Sequence, residues 1–387
     1  MLPSLTPEEE RHSRALVSLI RERIAAAGGW ISFEDFMDLA LYAPGLGYYS
    51  AGSTKLGAGG DFVTAPEMSD LFSFCVARQC AEILAVTGGS ILELGAGTGR
   101  MAAAMLELLE KQSALPEQYA ILEVSADLRE RQTATLSRLS ADVRKRIVWL
   151  DRLPSEPLRG VVVANEVLDA LPVRRFSVHG GELREIGVAI GEDGAFVESL
   201  REPDCTLAEA GAAILGGLPE PLPDGYQSEI CLRLQPWLLS ISECVEQGVL
   251  LFFDYGLPRS HYYHPQRTRG TLRCHFRQRA HDDPFLNVGM QDITAWVDFT
   301  RVAEAADAAG LEVSGFTTQA AFLLGTGIDS LAAAGSADAV ERARLAGEMR
   351  RLLMPGEMGE AFKVMALGRG VDIPLSGFAL QDLRHSL

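Results

Sequence analysis

Acidic side chains stand at the ends of several short apolar runs in this 387-residue chain, and their placement is the first clue to its chemistry. Val161-Val162-Val163-Ala164 runs straight into Asn165-Glu166, with Asp169 three residues further on. The run Val249 to Phe253 ends in Asp254-Tyr255-Gly256, and Glu229 lies on the segment leading towards it. Carboxylates gathered on one rim hold cationic, N–H-rich groups through forked, charge-assisted hydrogen bonds. They also stabilise positive charge carried through a reaction. Glu166, Asp169, Asp254 and Glu229 are therefore the candidate catalytic residues. Glu166 and Asp169 share a face if a helical turn begins here.

A second group points to a nucleoside-bearing ligand. Glu93-Leu94-Gly95-Ala96-Gly97-Thr98-Gly99 follows the apolar run beginning at Ile91 and precedes a helix-like stretch from Arg100 to Leu109. Glycines at such a turn let the backbone approach a ligand closely, and the helix start offers free amide hydrogens. Glu123, 24 residues after Gly99, ends the next apolar run, where an acid accepts both hydroxyls of a ribose. Asp151 follows the third run and is placed for the edge of an adenine. Asn165 closes the fourth run on the same side. Asp61 and Thr64, in Asp61-Phe62-Val63-Thr64-Ala65-Pro66-Glu67, follow a glycine-rich stretch and are placed to fold over the ligand as a lid. The alternative for that pair is a helix cap.

The glycine spacing narrows the ligand. A dinucleotide fingerprint wants glycine at position 100, where this chain has Arg100. The closer spacing, with an acid two residues before the first glycine, resembles motif I of class I methyltransferases. In that motif the turn takes the amino-acid end of S-adenosylmethionine. Methyl transfer is an in-line displacement that needs its nucleophile held close and aimed. A guanidinium nitrogen pinned by carboxylates meets that need.

These residues must be positioned by regular elements. From Ser90 onward short apolar runs alternate with helical stretches, the mark of a buried parallel sheet. The runs are Ile91–Leu94, Tyr119–Val124, Arg146–Leu150, Val161–Asn165 and Val249–Asp254, with later strands over 311–317 and 362–367. Ahead of them, Thr6-Pro7-Glu8-Glu9-Glu10 predicts a helix reaching Gly28-Gly29, and Ser32 with Asp35 starts another that stops near Pro44. The first 87 residues read as helices interrupted by a loop. Residues 176–200 read as antiparallel strands and the proline-rich 215–229 as a long loop. The domains expected are 1–87, an N-terminal helical subdomain with a lid, and 88–387, an α/β core with an insertion at about 173–235.

Composition bounds the partners. A net charge of −17 argues against nucleic acid or anionic lipid. No apolar run approaches the ~20 residues of a membrane span, and the acidic start is neither a signal nor a transit peptide. The six cysteines are scattered without a Cys-x-x-Cys pair, which fits free thiols and a cytoplasmic protein. His261, His264, His275 and His281 fall in or beside an arginine-rich stretch from Arg259 to Arg279, and their spacing matches no metal site. That stretch reads as a basic loop near the active site, facing an acidic partner or the cofactor carboxylate.

Together these segments resemble the MidA family of class I methyltransferases. The matches are Gly47-Tyr48-Tyr49, Gly60-Asp61-Phe62 with Thr64 and Pro66-Glu67, Glu93 to Gly99, and Glu123-Val124-Ser125. They continue with Ala164-Asn165-Glu166, Asp169-Ala170-Leu171-Pro172, Asp254-Tyr255-Gly256, Gln291-Asp292-Ile293-Thr294, Val297-Asp298-Phe299, and Gln319 with Phe322-Leu323. The resemblance implies a Rossmann-like core, S-adenosyl-L-methionine as cofactor, and ω-N methylation of a protein arginine. The mitochondrial members of the family act in respiratory complex I assembly, so a complex I subunit is the implied partner. The glycine turn lacks the proline and arginine of the mitochondrial pattern, which marks a bacterial branch and leaves the methyl acceptor open. The alternatives are a small-molecule O- or N-methyltransferase and a non-catalytic assembly factor. A dinucleotide oxidoreductase is disfavoured by Arg100.

Overall fold

The computed structural model describes residues 2–50, 64–335 and 338–387. Helix α1 (Pro7–Ala26) starts in a reciprocal capping box: the Glu9 amide donates to Thr6 Oγ1, and the Thr6 amide donates to the Glu9 carboxylate. Leu16, Ile20 and Ile24 form its buried stripe. Strand β1 (Trp30–Ser32) follows, and then α2 (Phe33–Tyr42), whose cap is Ser32 bonded to the Asp35 amide. The strand is absent from the helices-only reading of this region. Three residues carry too little alternation to register, and its partner lies far along the chain. Helix α3 (Ala65–Met68) leads through Ser69 into α4 (Asp70–Thr87).

The core opens with β2 (Ser90–Leu94), the glycine turn and α5 (Arg100–Lys111). Next come β3 (Tyr119–Leu122), α6 (Ala126–Leu136), β4 (Ile147–Leu150) and β5 (Leu158–Asn165). The chain then leaves the core. Strands β6 (Arg174–His179), β7 (Glu182–Ile190), β8 (Phe196–Arg201) and β9 (Gln227–Ile230) form an antiparallel sheet, and β1 pairs with β7 at its edge. A helix at Cys205–Gly217 and β9 occupy parts of the stretch expected to be one long loop. The prolines fall between them, at Pro219, Pro221 and Pro223.

Strand β10 (Val245–Leu257) re-enters the core. Strands β11 (Arg273–Phe276), β12 (Arg279–His281) and β13 (Asp292–Thr294) make a small sheet, and β14 (Val297–Asp298) adds to the end of β10. Strands β15 (Glu312–Thr318) and β16 (Phe362–Arg369) complete the central sheet. Its order is β15-β16-β10-β5-β2-β3-β4. From β10 to β4 the neighbours run parallel, and β16 is antiparallel to both β10 and β15. This is the Rossmann-like α/β class expected of the sequence.

Apolar side chains cover both faces of that sheet. Phe72, Val76, Met101, Met105 and Phe322 lie on one side, and Leu238, Ile241, Val302 and Ala306 on the other. A separate cluster joins Leu16, Ile20, Phe33 and Phe36 to Val188 of the inserted sheet and to Cys274, Val288 and Ile293. The N-terminal helices thus share a core with the insertion and with β11–β13. No helix of the described residues is long and apolar enough to cross a membrane.

Candidate active site

Strand order reverses at β2: β3 and β4 lie to one side, β5 and β10 to the other. In open α/β sheets ligands bind beyond the carboxyl ends of the strands at such a point. Here a cleft of about 870 Å³ opens there. That volume suits a cofactor-sized molecule. Gly95, Gly97 and Gly99 all take positive φ, at 67°, 53° and 82°, so the turn between β2 and α5 needs glycine at each. Gly99 forms the left-handed N-cap of α5, and Gly95 to Thr98 line the cleft. Thr98 Oγ1 donates to the Glu67 carboxylate, and the Arg100 guanidinium donates to the Glu67 carbonyl and pairs with Asp70. Helix α3 is thereby fastened to the glycine turn.

Glu93 is buried beneath the turn and accepts from Tyr119 Oη at 2.8 Å. Burial pushes its carboxyl up to about 7; the Tyr119 hydroxyl pulls it back and the Glu123 charge adds to the rise. Glu123 lines the cleft, accepting the Ser125 amide at 2.8 Å and Gln132 Nε2 at 3.0 Å. Gln132 also donates to the Gly97 carbonyl, so the acid and the glycine turn share one brace. Val124 at the mouth is 81% exposed, an uncovered apolar face in a ligand cleft. Asn165 Nδ2 donates to Glu166 at 3.1 Å, whereas its Oδ1 is buried with no partner among the described residues. An orphaned buried acceptor invites a donor from the ligand. The glycine cradle, two acids and this free acceptor suit a ribose and an α-amino group. Glu123→Gln is expected to weaken S-adenosyl-homocysteine binding about tenfold, the loss of one charge-assisted acceptor, with little change in melting temperature. Isothermal titration checks this.

Glu166 sits on the cleft at φ 53°, a left-handed backbone rare for residues other than glycine. Its amide donates to the Phe253 carbonyl at 2.9 Å. Asp254 Oδ2 then accepts the next three amides, Val167, Leu168 and Asp169, at 3.2, 2.8 and 3.2 Å. Its Oδ1 accepts the Tyr255 amide at 2.9 Å. Asp254 therefore organises the turn from behind, and the helical turn expected for Glu166 and Asp169 is instead a backbone loop wrapped around a carboxylate. Asp169 is buried and also lies behind the cleft surface. Burial and then the Asp254 charge push its carboxyl well above the ordinary range. Burial likewise raises Asp254, against four amides that favour its anion. Burial and the Asp254 charge push Glu166 up to about 8.

These shifts carry a sign for stability. Folded carboxyls at about 7 and 8 keep protons that the unfolded chain releases above about 4.5. The stability these two groups contribute is thus fully present below about 4.5 and is lost as pH rises to about 8. Thermal melts from pH 5 to 9 in the absence of cofactor check it; a midpoint rising across that range contradicts it.

The remaining expected residues separate. Thr64 caps α3 by position, without a side-chain bond, and lines the cleft. Asp61 lies outside the described residues. Asp151 is solvent-exposed and does not line the cleft; Leu153, two residues on, does. Glu229 is not at the rim. It is buried in β9, where Oε2 accepts the Thr271 amide and hydroxyl at 2.9 and 3.2 Å. Strand β9 belongs to the inserted sheet, which carries Glu229 away from β10. The arginine-rich stretch also stays clear of this cleft. Arg259 pairs with Asp298 and Glu304, and Arg277 with Glu9.

The structure adds residues without an earlier role. Tyr42 and Tyr49 stack with ring centroids 5.5 Å apart and line the cleft beside Glu166 and Ala170. Tyr42 Oη donates to the Ala170 carbonyl at 2.8 Å, and Tyr49 Oη to Asp292 Oδ1 at 2.9 Å. Asp292 is buried, and its charge contributes to raising both Glu166 and Asp169. Tyr49 and Asp292 fall in matched family segments, but only the fold brings them together. Stacked rings beside a carboxylate form a surface for a flat cation.

The family model described as "Putative S-adenosyl-L-methionine-dependent methyltransferase" matches residues 75–317. The chain is 28% identical over 390 residues to the protein arginine methyltransferase NDUFAF7, mitochondrial, of Danio rerio, covering 92% of this chain and 87% of that one. It is 27% identical over 401 residues to the NDUFAF7 homolog of Drosophila melanogaster, covering 95% and 88%. A crystal structure from Burkholderia thailandensis, bound to S-adenosyl-homocysteine, is 42% identical with a TM-score of 0.95 and full coverage of both chains.

Proposed function

The chain belongs to the MidA family of class I S-adenosyl-L-methionine-dependent methyltransferases, and on that premise we propose that it methylates an arginine side chain of a protein. S-adenosyl-L-methionine is its cofactor. Bound in the cleft, it supplies a methyl group on a positively charged sulfur. The glycine turn, Glu93, Glu123 and Asn165 are the groups suited to hold it.

The observation that carries the arginine reading is Glu166, set on the cleft beside the Tyr42–Tyr49 stack and backed by Asp169, Asp254 and Asp292. An ionised Glu166 accepts guanidinium N–H groups and fixes the plane of the substrate. The tyrosines cover its flat face. A carboxyl pushed up to about 8 by burial and the Asp254 charge is also matched to receive the proton released by the methylated nitrogen. The protein-arginine names of the mitochondrial relatives support the same substrate class. We place the reaction in the cytoplasm, a reading supported by six cysteines that are all free thiols. The proposed partner is a subunit of a respiratory-type complex.

The test uses radiolabelled S-adenosyl-L-methionine and purified protein added to extract from cells lacking the gene. Label is expected in one discrete protein, at an arginine located by mass spectrometry, and not with Gly97→Val. Label confined to small molecules replaces this reading with a metabolite methyltransferase. No label, despite confirmed cofactor binding, replaces it with an assembly factor.

A further inference from the structure

A second cleft, of about 520 Å³, lies between the inserted sheet and the loop before β11. Arg175, Arg267, Arg269 and Arg273 line it, with Trp296. Three of these arginines come from the stretch 259–279, which holds six arginines and no acid in a chain of net charge −17. Their charges are unequally met. Arg175 pairs through Nη1 with Glu198, and Arg273 pairs with Asp282. Among the described residues neither Arg267 nor Arg269 has an ion-pair partner.

The cleft is built rather than incidental. Glu229 fastens its floor by taking the Thr271 amide, and Gly270, at φ 68°, leaves the room that Glu229 fills. The Gln227 amide donates to the Thr268 carbonyl at 3.0 Å, so the loop runs along β9. Arg267 lies over the Trp296 ring, 5.2 Å from its centroid. The Nε–H groups of Arg267 and of Arg175, the latter 6% exposed, are buried with no acceptor among the described residues. Four guanidinium groups line the cleft against the two carboxylates Glu198 and Asp282, so the surplus of positive charge suits an anionic partner with more than one oxygen.

The segment carrying Trp296 is tied to the loop that backs Glu166. The Ala295 amide donates to the Asp169 carbonyl at 3.0 Å, and Trp296 is the next residue. From Asp292 to Trp296 the backbone spans at most ~14 Å. We propose that this cleft docks an acidic segment of the protein substrate, a few residues along from the arginine that enters the cofactor cleft. A peptide with a basic residue at the rim and carboxylates in the second cleft then has both charges matched. The proposal rests on the protein-substrate reading above, but its test needs no methyl transfer.

Short fluorescent peptides of alternating glutamate and glycine, or glutamine and glycine, are titrated with the full-length protein at low salt, followed by anisotropy. The acidic peptide is expected to bind at least about tenfold more tightly than its amide counterpart. The Arg267→Gln, Arg269→Gln double variant is expected to lose that preference while binding S-adenosyl-homocysteine as before, which reports an intact fold. Equal binding of the two peptides overturns the proposal, as does an unchanged preference in the double variant. Binding of inorganic phosphate without peptide binding also overturns it, in favour of a small-anion site. If only small molecules are methylated, the substrate reading fails while the peptide result stands.

Discussion

Glu166→Gln is expected to lower kcat by about 10²- to 10³-fold while leaving S-adenosyl-homocysteine affinity within about twofold, because one carboxylate both orients the acceptor and takes its proton. The amide keeps the shape of the side chain and can still bond Asn165, so the backbone turn has no reason to move. Wild-type kcat/KM is expected to rise with pH towards about 8, as Glu166 ionises, and then level. The variant should lose that limb. Single-turnover methylation of the identified acceptor across pH measures both. A variant that retains the wild-type rate and pH limb removes Glu166 from the chemistry and moves the search to Tyr42 and Tyr49.

Asp254→Ala should have the larger structural effect. Three consecutive amides, of Val167, Leu168 and Asp169, bond to one of its oxygens, and the Tyr255 amide to the other. Removing the carboxylate leaves these donors without an acceptor in a site that excludes water. At about 1–3 kcal/mol for each buried orphan, a loss of about 4–6 kcal/mol is expected after partial relaxation. Methyl transfer should fall below detection, since the turn that follows Glu166, with its left-handed backbone, is bonded to this carboxylate. Asp254→Asn keeps one acceptor oxygen and should recover roughly half of the stability. Urea denaturation distinguishes the two; equal unfolding midpoints for wild type and Asp254→Ala would falsify the account of Asp254 as the organiser of the rim.

Local pattern carried the central sheet well. The runs at Ile91, Tyr119, Val161 and Val249 announce parallel strands because burial on both faces demands uninterrupted apolar residues. The glycine turn was equally legible, since three left-handed positions within five residues permit little besides glycine. What stayed hidden depends on contacts between distant segments. Glu229 reads as a rim acid by its nearness to Asp254 in sequence, yet the inserted sheet turns it towards Thr271. Asp151 follows a strand on the correct side, but the chain carries it out to solvent. Tyr49 and Asp292 meet across 243 residues, a pairing that no periodicity encodes. Asp254 reads as a rim acid in the same way, whereas its oxygens are taken up by backbone amides and it does not face the cleft.

The packing of α1 against a late segment has a consequence for biosynthesis. Ser13 Oγ donates to the carbonyl of Val288, 275 residues later, and Leu16, Ile20 and Ile24 finish their burial beside residues from that end of the chain. β1 waits as well, since Trp30 pairs with Ala189. At elongation rates of ~5–20 residues per second, the greasy stripe of α1 spends roughly 13–50 s outside the ribosome before its cover exists. Helix α1 is therefore secured long after it is made. During that interval it is a natural client for a trigger-type chaperone, and slowing translation ahead of codon 288 should raise the aggregated fraction more than slowing it afterwards.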